Sequence, residues 1–214
     1  MHLRSGTRST RLGLRYVVAA GLISTLFLLP GSAAAATRVV EMDNVGSDYF
    51  FRPVTISLAA PGDYVRWTNV SASEPHDILR RSRALPIDSP LIDPGDSYSR
   101  RFYAAGAYSY LCQVHSPGMN GSVWVPVKAS PTSGTTATTF TIRWASQTAP
   151  TGFRYIVQKR NPGSSTYTTW RSNTSPSGTF TTSTRGTYSF RAKLLHVSSG
   201  ESSGYSRVRT ITVG

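Results

Sequence analysis

The run Gly106-Ala-Tyr-Ser-Tyr-Leu-Cys112-Gln-Val-His115-Ser-Pro-Gly-Met119-Asn-Gly121-Ser-Val-Trp-Val125 decides how this chain is read. Tyr108, Tyr110 and Cys112 fall on alternate positions, the period of a strand with one face turned inward. Cys112, the single cysteine, is therefore aimed at the interior where that strand ends. His115 and Met119 follow on a loop, and Gly121 opens the next alternation of Val123, Val125 and Val127. Thiolate, imidazole and thioether fall within eight residues, a soft donor set that selects copper over magnesium, calcium or manganese. One more imidazole from elsewhere completes a His₂Cys site with a weak axial Met, an arrangement used for electron transfer. The plainer alternative is a buried cysteine beside an unrelated histidine, since free Cys is among the most buried residue types.

The same period of two extends outward from this stretch. Val54, Ile56 and Leu58 alternate with Thr55 and Ser57, and Val65 and Trp67 with Arg66 and Thr68. Pro61-Gly62-Asp63, Asp93-Pro94-Gly95-Asp96 and Gly106 punctuate them as turns. No stretch has helical periodicity, so the fold class expected is all-β, a sandwich or barrel of short strands.

Residues 1–36 read as a secretory signal. Arg4, Arg8, Arg11 and Arg15 precede the apolar run Tyr16 to Leu29, and Pro30-Gly-Ser-Ala-Ala-Ala-Ala36 offers small residues for cleavage after Ala35 or Ala36. The apolar run is short for a membrane span, which needs about 20 residues. Adjacent arginines for a twin-arginine signal are lacking, as is a cysteine after the cleavage region for a lipid anchor. The expected address is secreted, extracellular or cell-wall associated, or periplasmic. A lone cysteine in such a compartment either pairs between chains or has a chemical task, and metal ligation shields it.

Charge divides the chain. The formal net charge is +13, of which the four arginines of the leader account for part. Residues 37–128 hold nine basic and nine acidic side chains, whereas residues 129–214 hold ten basic ones and Glu201 alone. Two halves so different are expected to be two domains with different partners. Between them, residues 129–138 (Ala-Ser-Pro-Thr-Ser-Gly-Thr-Thr-Ala-Thr) are small and polar and read as a linker. Beyond lie strand candidates at Phe140–Trp144, Phe153–Val157, Thr166–Trp170, Thr187–Ala192 and Val208–Thr212, with a core expected around Trp144, Phe190 and Ile211.

After the leader the histidines are His76, His115 and His196. His76 sits in Ser73-Glu-Pro-His76-Asp-Ile78, just after the Trp67 strand, and is the expected fourth ligand. His196 lies in the basic half and reads as a solvated strand-end residue. Three histidines cannot build the trinuclear cluster of a multicopper oxidase. A Cys–His nucleophile pair is disfavoured by the nearby Met and the strand-end setting.

From about Val39 to Val127 the chain resembles the cupredoxins, the plastocyanin-like, amicyanin-like and pseudoazurin-like proteins. The resemblance is carried by Phe51-Arg-Pro53, Pro61-Gly-Asp-Tyr-Val-Arg-Trp67-Thr-Asn69, Pro75-His76, Pro94-Gly95, Phe102, Gly106 to Cys112 and His115 to Gly121. It implies a Greek-key β-sandwich over 37–128 holding one type 1 copper ion, with His76, Cys112 and His115 as equatorial ligands and Met119 as the axial one. Two departures stand out. The three residues between His115 and Met119 leave the subfamily open, and Asp77 stands where many members carry Asn. An amide there ties the ligand loops together, whereas an ionised carboxylate can only accept hydrogen bonds. The hydrogen bonding of the sulfur, and with it the potential, is therefore expected to differ.

The second half, residues 139–214, resembles a smaller fibronectin type III-like β-sandwich, with Trp144 as its early core tryptophan and Tyr188 as its corner tyrosine. The reading that follows is no enzyme but a secreted blue copper protein that passes single electrons, with His115 as the outer ligand. Its redox partner, or copper donor, would dock there transiently. Arg80, Arg81 and Arg83 form a basic cluster that reads as a solvated loop face or steers an acidic partner. The basic half would attach to an acidic cell-wall or surface polymer rather than to nucleic acid, or serve as an inert spacer. The alternatives are a copper-handling protein without a redox partner and an adhesion protein that has lost its metal.

Overall fold

Alternating inward and outward residues build the main strands. The computed structural model describes residues 1–2, 34–82, 84 and 87–214, and among these it contains strands and no helix. Apart from its two ends, the expected leader 1–36 lies outside the described residues. None of the described residues forms a helix long and apolar enough to cross a membrane.

Eight strands make the first sandwich. β1 (Thr37–Val45), β2 (Asp48–Arg52), β4 (Tyr64–Asn69) and β6 (Ser97–Arg101) form one sheet in the order β2-β1-β4-β6. β3 (Thr55–Ser57), β5 (Leu79–Arg80), β7 (Gly106–Leu111) and β8 (Asn120–Val125) form the other, in the order β3-β8-β7-β5. β1 runs parallel to β4 and β3 parallel to β8; the remaining neighbours are antiparallel. From β2 to β7 the chain changes sheet at every step, so both sheets supply the loops that gather at one end. Val40, Met42, Phe51, Ile56, Val65, Trp67, Tyr110, Val123 and Val125 fill the interior. Each such side chain contributes roughly 1.5–3 kcal/mol when withdrawn from water.

The second sandwich pairs a three-stranded sheet, β14-β11-β9, with a five-stranded one, β10-β16-β15-β12-β13. The first contains β9 (Lys128–Ser130), β11 (Phe140–Arg143) and β14 (Ser177–Phe180). The second contains β10 (Ser133–Gly134), β12 (Phe153–Arg160), β13 (Thr168–Asn173), β15 (Gly186–His196) and β16 (Arg209–Val213). Trp144, Phe190 and Ile211 are buried in its core, as expected.

Residues 129–138, expected as a linker without regular structure, hold most of β9 and all of β10. Ala129 pairs with Ile142 and Ser133 with Thr212. The small hydroxyl residues that suggested a tether serve equally well on edge strands, where only one side must pair. The two sandwiches also meet through backbone. Ala105 N–H donates to the Trp144 carbonyl (2.7 Å), Ser146 N–H to that of Tyr103 (2.9 Å), and Ala107 and Gly204 exchange two bonds of 2.9 and 2.8 Å. Gly106 permits this approach, because a Cβ there would lie 2.5 Å from Ser203 Oγ. One continuous hydrophobic cluster runs through both sandwiches.

Candidate metal centre

Cys112 follows β7 at the buried end of the first sandwich and is fully shielded from solvent. The loop after it is closed on itself. Cys112 N–H donates to the Met119 carbonyl (3.0 Å), and Met119 N–H donates to that of His115 (3.2 Å). Asn120 Nδ2 bonds the Pro117 and Gly118 carbonyls at 2.6 and 3.0 Å, fixing the turn before β8. Gly121 is needed just beyond, since a Cβ at that position would meet the Tyr110 ring at 2.4 Å.

His76 arrives from the loop after β4. Its backbone exchanges bonds with Ile92 in an antiparallel bridge (3.1 and 2.7 Å). Beneath it lies a buried hub that the sequence reading passed over. Asn69, without solvent exposure, donates through Nδ2 to the carbonyls of Glu74 (2.8 Å) and Ile92 (2.9 Å) and accepts from Ser71 N–H (3.0 Å). One amide thus binds three backbone groups at once, reinforcing the Ile92 and Glu74 carbonyls, which also accept from His76 N–H and Ser71 Oγ, and serving as acceptor for Ser71 N–H. Its only signal in the sequence was a polar residue at an inward position of a strand.

Asp77 answers the question raised by its carboxylate. Its Oδ1 accepts the Gln113 N–H at 2.6 Å, while its own backbone N–H points at Cys112 Sγ, 3.5 Å away. The two ligand loops are therefore still tied, with the side chain as acceptor and the backbone as donor to sulfur.

Three donor atoms converge. His76 Nδ1 and His115 Nδ1 lie 3.2 Å apart, Cys112 Sγ lies 3.8 Å from the first and 3.6 Å from the second. A point in their plane is about 2 Å from all three, the length of an ordinary metal–imidazole bond. Burial first, and then the neighbouring His115, push His76 down to about 4, so its ring is neutral and able to ligate at pH 7. Burial also raises the Cys112 thiol above its ordinary value, with the backbone N–H groups of Asp77 and His115 acting the other way. A soft cation supplies the charge that would hold this sulfur as thiolate, and two neutral imidazoles with a thiolate are the donors that copper prefers. The residues fit the ion. Met119 is fully buried in the same loop.

His115 is the half-exposed member of the group. The Tyr49 ring lies flat on it, with centroids 3.6 Å apart and planes 11° from parallel. Beside them is a depression of about 410 Å³ lined by Ser47, Asp48, Ser116, Gly118 and Met119. His196 stands outside the donor group, bonded to Ser199 Oγ and packed on Phe153. Of the expected basic cluster, Arg80 pairs with Asp88 (3.1 Å) and Arg81 donates to Asn120 Oδ1; Arg83 lies outside the described residues.

No family model matches the chain. It is 37% identical to the chloroplastic plastocyanin of Tetradesmus obliquus over 121 residues, covering 52% of this chain and 81% of that protein. It is 28% identical to amicyanin-alpha of Methylorubrum extorquens, again over 52% of this chain and over 99% of that one. A solved purple cupredoxin from Nitrosopumilus maritimus is 27% identical over 41% of this chain and 97% of its own, with a TM-score of 0.36, so the assignment rests on the sequence relatives. With a His–Cys–His donor group at the end of an all-β sandwich, the chain belongs to the cupredoxins, the blue copper electron-transfer family of plastocyanin and amicyanin, which bind one type 1 copper ion.

Proposed function

We propose that this chain is an exported one-electron carrier in which His76, Cys112 and His115 hold the copper ion and Met119 is its axial ligand. The observation that carries this reading is the convergence of two imidazole nitrogens and one thiol sulfur within 3.8 Å of one another. Bound there, copper supplies the Cu(II)/Cu(I) couple. The protein's part is to keep the donors at fixed separations in both oxidation states, which limits rearrangement on electron transfer. Asn69 locks the His76 loop, the Asp77–Gln113 bond couples it to the Cys112 loop, and the buried Met119 closes the site to water. His115 is the electron port, its exposed edge opening on the Tyr49 depression, where a redox partner docks over a small area.

In this reading residues 1–36 direct export and 37–128 form the copper domain. Residues 139–214 form a fibronectin type III-like domain, with 129–138 leading into it. The buried Trp144 supports that likeness, as does Tyr188, whose Oη donates to the Thr184 carbonyl at 3.0 Å in the manner of a tyrosine corner. Its ten basic residues against Glu201 favour attachment to an acidic extracellular surface.

Visible spectroscopy of the copper-loaded full chain tests the carrier role. Intense blue absorption, bleached by ascorbate and restored by ferricyanide, is expected. Copper uptake without that absorption would instead support copper handling, and failure to bind copper would remove the proposal.

A further inference from the structure

Arg191, on β15, is held between two tyrosine rings. Its Cζ stands 4.0 Å from the Tyr167 ring centroid and 4.3 Å from that of Tyr205, and its Nε donates to Gln158 Oε1 at 2.9 Å. Among the described residues its two terminal nitrogens make no further bond, so the guanidinium is fixed in orientation with its forked edge unused. Two more cations flank it. Arg160 lies 5.3 Å from Tyr167, and Lys193 lies 5.1 Å from Tyr205. Gln158 pairs with Arg191 and Ile156 with Lys193, which sets these residues on the sheet face opposite the buried Tyr155, Val157 and Ala192.

Acidic residues are scarce in this half: ten basic side chains stand against Glu201 alone between 129 and 214. A second copy of the chain is a poor occupant, because residues 37–128 balance nine basic against nine acidic side chains. Nucleic acid is disfavoured too. Its single strands bind by stacking bases on aromatic rings, and here Tyr167 and Tyr205 are each already covered by two cations. What remains is recognition by charge and by a planar fork that matches a carboxylate in two-point fashion. Arg191 and Lys193 are two residues apart on one strand, about 7 Å, a spacing suited to charges repeated along a linear polymer.

We propose that this outward face of the five-stranded sheet binds an anionic polysaccharide, with Arg191 as its central carboxylate fork and Arg160 and Lys193 as flanking contacts. The inference rests on the attachment role proposed above for the second sandwich.

The test is binding of the full chain to polygalacturonate at low salt, with oligo-dT as competitor. Arg191→Gln is expected to weaken binding about tenfold or more, and Arg191→Lys about fivefold despite an unchanged net charge, because a charged fork contact is lost in both. Arg185→Gln removes one exposed cation from the segment just before β15, about 20 Å along the chain from Arg191, and is expected to change affinity less than about twofold. Equal losses for Arg191→Gln and Arg185→Gln, or wild-type affinity for Arg191→Lys, would mean diffuse charge without a site and would overturn the inference while leaving attachment intact. Tighter binding of oligo-dT than of polygalacturonate would overturn the choice of polymer. Absence of wild-type binding to either would remove the attachment role itself. The lysine variant keeps charge and strand geometry, so the test stands even if the glutamine variant fails to fold.

Discussion

The two sandwiches place their polar residues in opposite ways. In the first, positive and negative side chains balance, and the informative polar groups are buried: Asn69 and Ser71 brace the loop that brings His76 to Cys112. In the second, the core is dominated by Trp144, Phe180, Phe190, Leu194 and Ile211, and an unbalanced set of cations is stacked on aromatic rings. Similar strand patterns thus carry two kinds of polar arrangement, one converging inward on an ion and one displayed outward, where we propose it meets a polymer. Architecture alone would not have separated them.

The largest expected effect falls on the inward half. Cys112→Ser replaces the soft donor with a hydroxyl and is expected to abolish the blue absorption of copper-loaded protein while leaving polygalacturonate binding unchanged. Loss of both would mean that the two halves are not functionally separate. Asn69→Leu removes one bond from each of the Glu74 and Ile92 carbonyls and leaves the buried Ser71 N–H without its acceptor, and urea unfolding of the metal-free protein should show about 1–3 kcal/mol lost. A near-neutral result would remove the hub from the account.

The junction offers a sharper comparison. Gly106→Val drives a side chain into Ser203 and should lower stability by about 1–3 kcal/mol. Calorimetry should show a single transition in the wild type, because one hydrophobic cluster spans both sandwiches. Two well-separated transitions in the wild type would mean that the halves fold independently.

The last effect expected is on pH dependence without metal. His76 takes up a proton near 6.5 when unfolded and only near 4 when folded. Between those values the unfolded chain binds more protons, so metal-free stability should fall as pH drops from about 6.5 to 4. His76→Gln should flatten that slope, and an undiminished slope would assign it to other groups.

Much of the inward half was legible because its signals are local. Cys112, His115 and Met119 lie in one loop, and the alternation of Tyr108, Tyr110 and Cys112 gave the direction of the sulfur. His76 needed only one long-range step. What escaped reading depends on partners distant in the chain. The stack of Tyr49 on His115 joins β2 to a loop many strands later, and Asp77 meets Gln113 across the gap between two loops. In the second half β14 was missed because Ser177-Gly178 reads as a turn, and its place is shown by its antiparallel pairing with β11 and by the packing of Phe180 on Trp170 and Phe190. β9 and β10 were hidden by a composition that edge strands share with tethers. The clamp on Arg191 draws on Gln158 by strand register and on Tyr167 and Tyr205 from segments outside the strands, a meeting that only the folded chain brings about.

X-ray absorption at the copper edge, on the full chain with one equivalent of metal, tests the central claim most directly. The geometry calls for two nitrogen neighbours at about 2.0 Å and one sulfur at about 2.3 Å or shorter. A shell of nitrogen and oxygen alone, without that sulfur, would contradict it.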